Sequence, residues 1–178
     1  MERSKMVAGK SVPLTLFLVL SVSAAQAVPI KLSFSATGVA DSNGNPAPTD
    51  PATGVFVYEA ASLGSTIDSL TSVSLTLDGV KYGVGDISFK SPFGGHADVI
   101  YGTLNGVGTN ALTNDFWLVF HRVAGIGLDF SYTSASRPGT WFSQQFSSFS
   151  LSQIPAPGTL ALISLGAIGF GVRKRLLR

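Results

Sequence analysis

From position 28 onward, apolar and polar residues alternate along the chain with a period of two. Ile30, Leu32 and Phe34 fall on one side of an extended segment, with Lys31, Ser33 and Ser35 on the other. Val73, Leu75 and Leu77 alternate with Ser72, Ser74 and Thr76. Ile126, Leu128, Phe130 and Tyr132 alternate with Gly127, Asp129 and Ser131. Successive side chains of a strand point to opposite faces, so this period predicts strands with one buried face. Further strands are expected over 54–60, 80–90, 98–104, 115–122 and 140–151. Residues 115–122 are apolar on both faces, Phe116, Leu118 and Phe120 against Trp117 and Val119. That predicts a central strand with Trp117 in the core. Asp78-Gly79 between Leu77 and Val80 predicts a two-residue hairpin, because both central positions of a type I′ turn need positive φ. No window reads as an amphipathic helix except the loop 61–69. About eight strands with turn signals between them predict an all-β fold, a single β-sandwich or jelly-roll-like domain.

The two ends break this pattern. Arg3, Lys5 and Lys10 precede an apolar stretch over 12–25, and Ala25-Gln26-Ala27 follows as a small-x-small site. A basic region, an apolar region and such a site predict a secretory signal peptide over 1–27, recognised by Ala25 and Ala27 and cut before Val28. At the other end, Pro155-Ala156-Pro157 and Gly158-Thr159 lead into an apolar run over 160–172, then Arg173-Lys174-Arg175 and Arg178. The prolines favour an extended linker. The apolar run, with Thr159 before it, predicts a transmembrane helix over 159–172. The basic end predicts that its terminus stays cytoplasmic. The run is short for a span and rich in small residues, Gly166, Ala167, Gly169 and Gly171, which allow close approach of another helix.

This tail resembles the PEP-CTERM sorting signal of Gram-negative bacteria. Pro155 and Pro157 match the two motif prolines, Ala156 stands where the family has Glu, and Arg173, Lys174 and Arg175 match the basic end. The resemblance implies a membrane-anchored precursor, handled by the export machinery and then by exosortase, a membrane protease. It also implies delivery to the cell surface or extracellular matrix and association with exopolysaccharide.

Charge supports export rather than nucleic-acid binding. The whole chain carries a formal +2, but the basic residues concentrate in the two ends. Residues 28–154 hold five basic residues (Lys31, Lys81, Lys90, Arg122, Arg137) against nine acidic ones, a net −4. A domain of that sign is a poor fit to a phosphate backbone. These 127 residues suffice for one domain with a core, and the absence of cysteine leaves packing and ladder hydrogen bonds to hold it.

Candidate chemistry is sparse. His96 lies in a turn and His121 at a strand end, on the parity of Trp117 and Val119. No nucleophile elbow or metalloprotease motif accompanies them. Asp86, Asp98, Asp115 and Asp129 offer carboxylate pairs of the kind a glycosidase uses, yet aspartate is also the usual turn residue. Asp41, Asn43 and Asn45 have the spacing of a calcium loop, but Gly44 falls at the fourth position and Ala52 at the twelfth, which favours a plain turn within the loop 41–51. The expectation is therefore a non-enzymatic protein without metal or cofactor. The competing reading is a carbohydrate-binding or adhesive module, with Trp141 beside Pro138-Gly139 as its sugar-stacking side chain. A row of exposed aromatics on one sheet face favours that module. A face of serine and threonine favours a surface or matrix protein.

Overall fold

The computed structural model describes residues 27–105, 109 and 113–155. Among them the alternating segments form ten strands: β1 Val28–Thr37, β2 Ala52–Ala60, β3 Ile67–Leu77, β4 Val80–Lys81, β5 Ile87–Phe93, β6 Ala97–Gly102, β7 Phe116–His121, β8 Ile126–Thr133, β9 Thr140–Ser143 and β10 Gln145–Gln153. They pair in two antiparallel five-stranded sheets, ordered β10-β1-β2-β3-β4 and β5-β6-β7-β8-β9. The second sheet is a plain meander. In the first, β10 returns to lie antiparallel to β1. The all-β sandwich expectation holds, whereas jelly-roll connectivity is absent, since no pair of Greek keys interleaves the strands.

The inner faces meet in an aromatic core. Phe34 on β1 reaches Phe130 on β8, with ring centroids 5.4 Å apart, and Phe56 on β2 lies 5.9 Å from Phe116 on β7. Tyr82, just after β4, meets Phe116 edge-on at 5.0 Å. Ile30, Leu32, Leu75, Leu77, Ile100 and Leu118 fill the space around them. Each fully buried side chain of this kind contributes roughly 1.5–3 kcal/mol of transfer free energy.

Three expectations are corrected. The segment 80–90 is not one strand: β4 ends at Lys81, the 3₁₀ turn Val84–Asp86 follows, and β5 starts at Ile87 in the other sheet. The turn closes on Asp86, whose Oδ2 accepts the Gly83 N–H at 2.7 Å. The segment 140–151 also splits, β9 in one sheet and β10 in the other. Ser143 fastens that crossing: its hydroxyl donates to the Thr37 carbonyl at 2.6 Å and accepts the Gln145 N–H at 2.9 Å. Residues 61–69 hold no helix, since a turn runs to Ser65 and β3 begins at Ile67. The Asp78-Gly79 hairpin is as expected, with φ of +46° and +80°. β7 is the middle strand of its sheet, also as expected.

Candidate functional site

The solvent faces of the two sheets differ in chemistry. On the first sheet, β10 contributes Ser148 and Ser150, β1 Ser33 and Ser35, β2 Thr53, and β3 Ser72, Ser74 and Thr76. The register aligns Ser148, Ser35 and Thr53 in one cross-strand row and Ser150, Ser33, Val55 and Ser74 in the next. A shallow groove crosses this face between Ser33, Thr53, Ser74 and Ser148. Lys31, Glu59 and Lys81 are ionisable groups on neighbouring rows of this face.

The outer face of the second sheet is aromatic. Tyr101 on β6 stands opposite Trp117 on β7, the rings stacked at 5.4 Å. Phe93 at the end of β5 meets Trp117 edge-on at 5.9 Å, and the Lys90 ammonium lies 5.7 Å above the Phe93 ring. All three rings are half-buried, and Val99, on the same face by register, is fully buried. Ser88 lies opposite Tyr101 and Ser131 opposite Trp117, so hydroxyls flank the rings. Phe142 on β9 continues the row beyond Ser131 and is 47% exposed.

This arrangement reverses the expectation for the two tryptophans. Trp117 is not in the core; it belongs to the outer face, because the inner parity of β7 is taken by Phe116, Leu118 and Phe120. Trp141 is only 4% exposed and its ring lies 5.3 Å from Tyr132. A Cβ at Gly139 would sit 2.9 Å from the Trp141 ring, so the indole packs down on that glycine. Trp141 therefore offers no free face to a sugar, and Trp117 is the tryptophan that sequence reasoning misplaced.

Asp98 and Asp115 do not converge, whereas Asp86 and Asp115 both bear on the Tyr82 hydroxyl. Asp98 is buried on β6 and forms an ion pair with Arg122, Nη1 to Oδ1, at 2.7 Å; Ser91 donates to the same oxygen at 2.7 Å. Arg122 also donates to the carbonyl of Gly95. Asp115 precedes β7, accepts the Leu104 N–H at 2.9 Å, and burial raises its pKa. Since Asp98 pairs with Phe120, it stands five residues along the ladder from Asp115, about 15 Å or more. Asp129 opposes Val119 on the outer face, and burial raises its pKa too. Asp86 is held in its turn by the Gly83 amide. His96 and His121 lie 5.9 Å apart, and His121 Nδ1 accepts the Ala124 N–H at 3.2 Å.

The loop after β1 is a closed turn. Asp41 Oδ1 accepts the amide N–H groups of Asn43 and Asn45 at 2.8 Å, and Oδ2 accepts Asn45 Nδ2 at 2.9 Å. The Asn45 side chain, foremost among these bonds, holds the Asp41 carboxyl below its ordinary range. Among the described residues no group of three or more His, Cys, Asp or Glu side chains is placed to hold a metal ion.

Of the sorting and cleavage residues, Ala27 and Pro155 are described and both are exposed. Ala25, Ala156, Pro157, Arg173, Lys174, Arg175 and the expected helix over 159–172 lie outside the described residues. Among those described, no helix is long and apolar enough to cross a membrane. The two visible ends are adjacent: the Ile154 N–H donates to the Pro29 carbonyl at 2.8 Å, directly beyond the last pair of the β1/β10 ladder.

Residues 153–175 match the family model described as the PEP-CTERM protein-sorting motif, so the chain carries that signal. The motif implies an exported protein, anchored in the membrane as a precursor, that exosortase sorts and processes for the cell surface. No curated protein and no solved structure matches the chain.

Proposed function

We propose that residues 28–154 are the cargo of this sorting system: a non-enzymatic β-sandwich delivered to the cell surface or extracellular matrix, where it associates with exopolysaccharide. The observation that carries the reading is the match over 153–175, which starts on the last residue of β10. The signal thus begins where the folded domain stops. Asp86, Asp98 and Asp115 are each bound into local hydrogen bonds, which supports a structural role over a hydrolytic one. The hydroxyl face of the first sheet fits a hydrated polymer matrix, because each exposed serine or threonine both donates and accepts hydrogen bonds. Mass spectrometry of the protein exported from a host that carries exosortase tests the reading. The expected product begins at Val28 and lacks the basic end. A product still ending at Arg178 would refute it.

The carbohydrate-binding reading draws support from a different observation, the Phe93–Trp117–Tyr101 row with Ser88 and Ser131 beside it. Aromatic rings flanked by hydroxyls suit a saccharide, whose C–H faces stack while its hydroxyls bond sideways. Chain fluorescence separates the two tryptophans, since Trp141 is buried and Trp117 is half-exposed. Titration with soluble exopolysaccharide should change the emission of the parent and leave that of Trp117→Phe unchanged. No change in the parent removes this reading and leaves the first intact.

A further inference from the structure

We infer that the sorting signal is presented without a spacer, so the end of β10 must leave β1 before a membrane protease can cut at the motif. The inference rests on the sorting reading above and goes beyond it, because it assigns the fold a part in controlling the cut. β10 runs to Gln153, Ile154 is still hydrogen-bonded to Pro29, and Pro155 is the first motif residue. No residue separates ladder from motif. A protease holds its substrate as an extended segment on both sides of the scissile bond, often by pairing with its backbone. Here the amino-terminal side of that segment is already paired with β1.

The geometry also confines the approach. From Ile154 to the first residue of the apolar run, Leu160, the chain reaches at most about 20 Å when fully extended. A tail held in the bilayer keeps the sandwich against the membrane surface, with its β1/β10 end foremost. Val28 opens β1 at this same end, so both termini of the domain face the bilayer together.

The strand is built to release. β10 is the outer strand of its sheet and pairs only with β1. Ser152 and Gln153 are exposed, while Leu151 and Ile154 are half-buried. Peeling back to Leu151 uncovers no fully buried side chain of β10. The rest of the strand stays fixed by Phe149, which meets Phe120, and by Phe146, which packs over Gly127. Strand ends of this kind open locally at a small fraction of the global stability.

A disulfide across the ladder tests this in the full-length chain. Lys31 and Ser152 are direct partners, both exposed, and the chain has no cysteine of its own. Lys31→Cys/Ser152→Cys will oxidise in the periplasm and lock the end of β10 without touching the motif. Pulse-chase labelling in a host with exosortase then follows loss of the tail. We expect the locked form to be processed roughly tenfold more slowly than either single-cysteine variant, as a closed fraying equilibrium requires. A Gly-Ser spacer between Ile154 and Pro155 should speed the cut in the parent and restore it in the locked form. Because the spacer does not alter the ladder, it reports on access even if the cysteine pair disturbs folding. Equal rates for the locked, unlocked and spacer forms, with the disulfide verified on a non-reducing gel, overturn the inference and leave the sorting reading standing. A parent chain never cut overturns the sorting reading itself, and the inference falls with it.

Discussion

Arg122 and Asp98 show how much a single pair matters in this fold. The Asp98 carboxylate has no solvent exposure, and only Oδ1 is bonded, to Arg122 and Ser91. Removing the cation leaves a buried charge without its counterpart, which costs about 3–5 kcal/mol. Arg122→Met should therefore lower the free energy of unfolding in urea by about that amount, and an unchanged midpoint would refute it. Tyr58 makes a contrast. Its hydroxyl is buried without a hydrogen-bond partner, and burial, then the nearby Asp98 charge, pushes its pKa up to about 12. Tyr58→Phe removes an unpaired polar atom and should be neutral or stabilising by the same measurement. The aspartates divide by sign. The Ser134 hydroxyl, then that of Ser136, holds Asp78 below the ordinary 3.8, and the Asn45 side chain does so for Asp41. Burial holds Asp115 and Asp129 above 3.8. A raised carboxyl takes up its proton first in the folded state, so stability grows as pH falls through that range. A depressed one takes it up first when unfolded, so its contribution is lost as pH falls toward its folded value. Melting temperature should thus pass through a maximum on the acid side of neutrality and drop below about pH 4. A steady fall from neutral pH downward would contradict this balance.

At the scale of elements, the reading from sequence succeeded where alternation ran unbroken and failed where one residue was inserted. β1 buries Ile30, Leu32 and Phe34 as the pattern requires. In β8 the pattern predicts Ile126 and Leu128 on the face of Phe130, yet they are 53% and 42% exposed. The ladder pairs Val119 with Asp129 and Phe120 with Gly127, so Leu128 is an extra residue and the parity flips there. Nothing in a period-two pattern marks that insertion. Gly127 then faces inward, and the Phe146 ring occupies the place of its missing side chain. A Cβ there would lie 2.7 Å from that ring, so Gly127→Ala should cost about 1–3 kcal/mol through overpacking. The sheet crossings were illegible for a similar reason. Gln144 separates β9 from β10 with no proline or glycine, and the Ser143 hydrogen bonds, with the Ala40–Phe142 backbone pair beside them, hold the change of sheet. Trp117 was misread because β7 is apolar on both faces, and parity alone does not say which face is the core. The sorting tail was legible because its information lies in order along the chain, proline, apolar run, basic end, and needs no tertiary contact.

At the scale of the whole molecule, the proposed function assigns folding and addressing to separate segments. The described core draws on strands from β1 to β9, with β10 packed against it, and none of its residues lies beyond Leu151. The basic residues outside 28–154 sit in the two ends, while the domain itself is acidic. This division yields a prediction with two arms. Deleting 155–178 removes nothing from the described core, so the shortened protein should keep a β-type circular dichroism spectrum and its melting temperature. It should also leave the membrane fraction. Replacing Arg173, Lys174 and Arg175 by Gln leaves the apolar run intact but removes most of the charge that resists transfer across the bilayer. That variant should fold equally well and lose retention at the membrane, with release of uncut chain. If deletion melts the domain, the tail is part of the fold and the separation proposed here is wrong. If the glutamine variant is retained and cut at the parent's rate, the basic end is not what holds the chain for its protease, and the apolar run with Pro155-Ala156-Pro157 suffices.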